Sequence, residues 1–154
     1  MKRILAICVM LFSVSVMAET DLHPKETEKV TLSKEICDLF STNVETAFEQ
    51  IEAGRNIEAV KHTYKVQTYL NRNDDVKYTA NLLTAGSLNE LQASLDAVDQ
   101  KMLSVLIQSG TTVPQFMQLY SSRKCDNGIG NPVEVPKRIV VKITDFKKES
   151  GVKF

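Results

Sequence analysis

The chain has 154 residues, with 19 Lys and Arg against 19 Asp and Glu, no Trp and three Cys. That balance excludes a polyanion-binding surface of the kind that reads nucleic acid. The lack of Trp and the low aromatic content, 6%, argue against a carbohydrate-stacking platform.

Residues 1–18 read as a cleavable export signal: Lys2 and Arg3 precede an apolar run from Ile4 to Met17, and Val16-Met17-Ala18 offers a small-residue cleavage site before Glu19. The run is too short for an ordinary membrane span, and none follows, so no membrane contact is expected after signal cleavage. Removing these residues takes away Lys2 and Arg3 but no acid. The remaining 136 residues then carry 17 basic and 19 acidic groups, a net charge of −2. That length suits one domain with a modest core.

Residues 19–30 are polar and charged, with Pro24, and read as a flexible mature N-terminus before order begins near Thr31 or Ser33. A helical domain is expected over residues 31–126. Its first helix is marked by Ile36, Cys37, Phe40, Val44, Ala47, Phe48 and Ile51 at three- and four-residue steps, with Gly54 as its stop. Glu45, Glu49 and Glu52 fall on the opposite, solvated side. Asn56 caps a second helix built on Ile57, Val60 and Tyr64, which ends in the polar run Asn71 to Asp75. The stretch from Val76 to Leu83 fits a strand or a short helix, and its helical neighbours favour helix. Ser87 and Glu90 form a capping-box pattern ahead of Leu88, Leu91, Leu95, Val98, Met102, Val105 and Leu106, the expected third helix. Thr112 and Pro114 open a short fourth helix running to Cys125.

Beyond Cys125, residues 127–154 form a turn-rich segment followed by a strand-like basic tail. Asp126-Asn127-Gly128 is turn-forming, Val133 and Val135 could supply a hairpin arm, and Arg138 to Phe146 has strand character. From Lys137 onward six basic residues face two acidic ones, and Arg138, Lys142, Lys147 and Lys148 are candidates for binding a partner. The competing reading is a lysine-guarded edge strand with a frayed tail. The expected fold is therefore mainly α, a small disulfide-stapled bundle of about four helices with a short C-terminal strand or hairpin.

In an oxidising compartment Cys37 and Cys125 would pair, closing a loop of 88 residues that chain entropy values at roughly 4 to 5 kcal/mol. His23 and His62 lack the close cysteine pairs of a zinc site, so a disulfide is favoured over metal. No HExxH, Walker A, GxGxxG or GxSxG occurs. Asn71, Asn73 and Asp75 imitate a calcium loop, but Val76 replaces its glycine and Leu82 its glutamate. Neither a cofactor nor catalysis is expected.

Ile36-Cys37-Asp38, Val44-Glu45-Thr46, Gln108-Ser109-Gly110 and Gln118-Leu119-Tyr120 leading to Cys125-Asp126 resemble segments of the Spackle family, small periplasmic superinfection-exclusion proteins of T-even phages. The resemblance covers patches around the two cysteines, and the basic tail has no counterpart in it. It implies a non-catalytic inhibitor that binds a lysozyme-type enzyme and blocks peptidoglycan cleavage. Together these readings point to a periplasmic or secreted protein-binding module whose partner is another protein. The alternative is a carrier of a small apolar ligand lined by Phe40, Phe48, Met102 and Met117; a third possibility, a hydrolase, would need one Glu or Asp essential for turnover.

Overall fold

In the computed structural model, which describes residues 26–138, five helices and a two-stranded antiparallel sheet form the fold. The elements run β1 (Thr27–Thr31), α1 (Lys34–Glu52), α2 (Ile57–Leu70), α3 (Asp75–Asp96), α4 (Gln100–Gln108), α5 (Val113–Asp126) and β2 (Pro132–Pro136). The signal at 1–18, the tail lysines Lys142, Lys147 and Lys148, and most of the expected strand to Phe146 lie outside the described residues.

Local chemistry sets most helix starts. The Ser33 hydroxyl accepts from the Ile36 N–H, Asn56 from Glu58, Asp74 from Lys77, Asp99 from Lys101 and Thr112 from Gln115, each satisfying a backbone donor that has no intrahelical partner. Thr112 and Gln115 complete a reciprocal capping box. At the far end of α1, Gly54 takes φ +97°, a left-handed conformation that glycine adopts without penalty.

α1 is the central element, packing against both α5 and α3, while α2 lies on α3. Ile36, Cys37, Phe40, Val44, Ala47 and Phe48 of α1 are buried together with Val60, Leu88, Leu91 and Met117. The Cys37–Cys125 disulfide, with Cα atoms 5.5 Å apart, ties α1 to the last turn of α5, and both cysteines are fully buried. The buried face of α3 is rich in small residues, Thr79, Ala80, Thr84, Ala85 and Ser87, which leave little side-chain bulk between it and its neighbours. Polar pairs cross these interfaces as well. Tyr64 donates its hydroxyl to the Asn43 carbonyl at 2.9 Å, and Asn43 donates to the Asn81 side chain at 3.0 Å.

Two expectations are corrected here. The third helix does not begin at Ser87: it begins at Asp75, because Asp74 caps it, and it absorbs the Val76–Leu83 stretch as helix. Ser87 is buried within it, and its hydroxyl has no hydrogen-bond partner among the described residues. The same element then stops at Asp96, and Asp99, in an extended conformation, caps a separate α4. Five helices therefore stand where about four are expected. The second correction concerns residues 19–30, of which Thr27 to Val30 belong to strand β1. The partner of that strand lies about a hundred residues away, and local composition carries no trace of it. Val133 and Val135 do form a strand, and among the described residues it pairs with β1.

Candidate functional site

The register of the β ribbon runs from Thr27 opposite Pro136 to Thr31 opposite Pro132. Gly130, at φ +88°, turns the chain back so that its N–H reaches the Leu32 carbonyl at 2.9 Å. Val133 and Val135 point into the helical core, and Tyr78 of α3 donates its hydroxyl to the Pro136 carbonyl at 2.8 Å.

Arg138, expected to meet a partner, is engaged within the chain. Its guanidinium bonds the carboxylates of Glu28 on β1 and Asp75 on α3 and reaches the Arg72 carbonyl at 3.4 Å. It also sits 4.9 Å from the centre of the Tyr78 ring, and its side chain is only 14% exposed. The hydrogen bond that Arg138 donates to Glu28 raises the guanidinium pKa, partly offset by its loss of solvation. Beside it Lys137 pairs with Glu26 at 2.9 Å. One arginine thus fastens the ribbon to the turn between α2 and α3.

An exposed apolar surface lies on α4. This helix has five apolar residues among nine, yet none is buried, and it makes no extended contact with any other element among the described residues. At 100° per residue, Met102, Leu103, Val105, Leu106 and Ile107 share one broad face, opposite Gln100, Lys101, Ser104 and Gln108. Leu103 and Leu106 are half-buried, whereas Met102 and Val105, about 60° apart on one side of them, and Ile107 on the other side are more than half exposed. Scattered exposed aliphatic residues are ordinary, but Met102 and Val105, adjacent on one side of a helix tethered at both ends to a stapled bundle, form a small patch.

A second apolar strip, Val66, Tyr69 and Leu70, occupies the end of α2, where the Arg72 guanidinium lies 4.7 Å from the Tyr69 ring centre.

No family model, curated protein or solved structure matches the chain. Its chemistry must therefore be read from its own side chains. Among the described residues no group of three His, Cys, Asp or Glu is placed to hold a metal, and no helix is long and apolar enough to cross a membrane. Glu49 and Glu52 are exposed and Glu45 is half-buried. Phe40, Phe48 and Met117 lie in the packed core, but Met102 is 59% exposed on α4, so the four residues of the carrier reading do not line one space.

The α4 surface was hidden in the sequence because its residues carry the periodicity of a buried face. Hydrophobic spacing identifies a face but cannot identify what covers it. The usable cue was Asp99, a capping residue inside the expected third helix.

Proposed function

We propose that this chain is an exported, non-catalytic protein-binding module that matures in an oxidising compartment such as the periplasm. In this reading it is an inhibitor or superinfection-exclusion factor that occludes a peptidoglycan hydrolase. The apolar face of α4 carries the reading: a short helix offering Met102 and Val105 to solvent on one side has the form of a ligand for a hydrophobic groove. The buried disulfide supports it further, because a crosslinked scaffold loses less conformational freedom when it binds. The resemblance to the Spackle family supplies the class of target.

The test is binding to, and inhibition of, a panel of phage and bacterial peptidoglycan hydrolases by the oxidised exported protein. At least one member should be inhibited, and joint Met102→Lys and Val105→Lys substitution should weaken that inhibition at least about tenfold while leaving thermal stability nearly unchanged. Failure to bind any member would remove the inhibitor reading. Undiminished inhibition by the double variant would remove α4 from it.

A further inference from the structure

The two edges of the β ribbon differ in chemistry. The Lys137 N–H donates to the Glu26 carbonyl and the Leu32 N–H to the Asn131 carbonyl. In an antiparallel ladder this parity makes Glu28 with Val135 and Val30 with Val133 the pairs whose backbone groups face each other. The intervening residues turn their backbone groups outward. On β2 these are Pro132, Glu134 and Pro136: two have no N–H to offer, and the Pro136 carbonyl is already taken by Tyr78. That edge is closed to further pairing.

On β1 the outward residues are Thr27, Lys29 and Thr31, all with N–H groups and all with exposed side chains. Among the described residues the sheet ends there, and β1 has no extended contact with any element but β2. Thr27 and Thr31 are β-formers, so the edge is ready for a strand.

We propose that the outer edge of β1 is a strand-addition site for an extended, acidic segment of a partner protein. Charge decides the occupant. Lys29 stands at the centre of the edge and makes no ion pair among the described residues, although Glu134 lies across from it in register. A strand added outside β1 sets one residue directly opposite Lys29 on the same face, and a carboxylate there is favoured. A second copy of β1, paired antiparallel over its full length, would instead oppose Lys29 with itself, placing like charges together. The fitting segment therefore has β-branched residues flanking a central Asp or Glu. This surface is separate from α4, and the inference does not rest on the hydrolase reading.

The probe is a capped peptide, Thr-Val-Thr-Glu-Thr-Val-Thr, titrated into the oxidised protein and followed by heteronuclear NMR at low salt. Saturable shifts are expected at the amides of Thr27, Lys29 and Thr31, with the peptide bearing Lys in place of Glu binding at least about threefold more weakly. Lys29→Pro removes the central outward N–H without removing a ladder bond, and should abolish these shifts with little change in stability. Lys29→Glu should reverse the preference between the two peptides. An absence of saturable shifts at the three amides, equal binding of both peptides, or intact binding to Lys29→Pro would each overturn the proposal. It also fails if these amides shift with protein concentration alone, which would assign the edge to a second copy. Shifts that appear only after deletion of residues 139–154 would assign it to the chain itself, again overturning the partner.

Discussion

Replacing Arg138 with alanine should destabilise the fold by about 2 to 3 kcal/mol, and the separate parts of that figure can be tested. A hydrogen bond to a charged group contributes about 1.5 to 3 kcal/mol when buried, and the one to Glu28, whose side chain is 31% exposed, belongs near the lower end. Asp75 is 71% exposed, so its pairing is discounted to about 0.5 kcal/mol or less. Stacking over Tyr78 adds about 0.5 to 1 kcal/mol. Urea unfolding followed by circular dichroism should show the midpoint fall with little change in slope, and thermal unfolding should begin roughly 8 to 12 °C lower. Double-mutant cycles should give a coupling of about 1 kcal/mol or more between Arg138→Ala and Glu28→Gln, and a smaller one between Arg138→Ala and Asp75→Asn. Arg138→Lys keeps the charge but not the planar fork that spans two carboxylates, and should recover less than half of the loss. A loss below about 0.5 kcal/mol for Arg138→Ala, or stronger coupling to Asp75 than to Glu28, would refute the assignment.

Reducing the Cys37–Cys125 bond, or replacing both cysteines by serine, should cost up to roughly 4 to 5 kcal/mol for an 88-residue loop, read as unfolding free energy with and without reductant. Ser87→Ala should leave stability unchanged or raise it by up to about 1 kcal/mol in urea unfolding, because it removes a buried hydroxyl with no partner from a helix interior. A clear loss would mean that the hydroxyl is satisfied. Burial raises the pKa of Tyr64, whose neutral hydroxyl donates to the Asn43 carbonyl. Because the folded state disfavours the phenolate, stability should be intact below the ordinary tyrosine pKa of about 10 and fall as pH rises above it. Tyr64→Phe should flatten that alkaline decline in a pH series of unfolding measurements.

The legible parts of this fold are those fixed by neighbouring residues. Ser33, Asn56 and Thr112 announce their helices because a cap acts over two or three positions, and Gly54 announces a stop for the same reason. The disulfide was readable because Cys37 and Cys125 are the only two cysteines beyond residue 18. Less readable was the choice between rival caps. Ser87 followed by Glu90 satisfies the capping-box pattern as well as Thr112 followed by Gln115, yet Asp74 opens the helix thirteen residues earlier and leaves Ser87 in its interior. The ribbon was still further from view, since Thr27 and Pro136 are local neighbours of nothing that explains them. Of the candidate site, the apolar face of α4 was visible as periodicity, but its exposure depends on how the rest of the bundle is arranged. Arg138 was visible as a charge, whereas its role was set by Glu28, Asp75 and Tyr78, brought to it from two distant elements.

Because β1 pairs with β2 from the far end of the described residues, the order of synthesis matters to the order of assembly. At about 5 to 20 residues per second, the ribosome needs roughly 5 to 20 s after making Thr31 before Pro132 exists to receive it. Throughout that interval the leading end cannot close, and neither can the covalent ring through Cys125. The architecture thus keeps the nascent polypeptide open at its leading end until both Cys125 and Pro132 have been made.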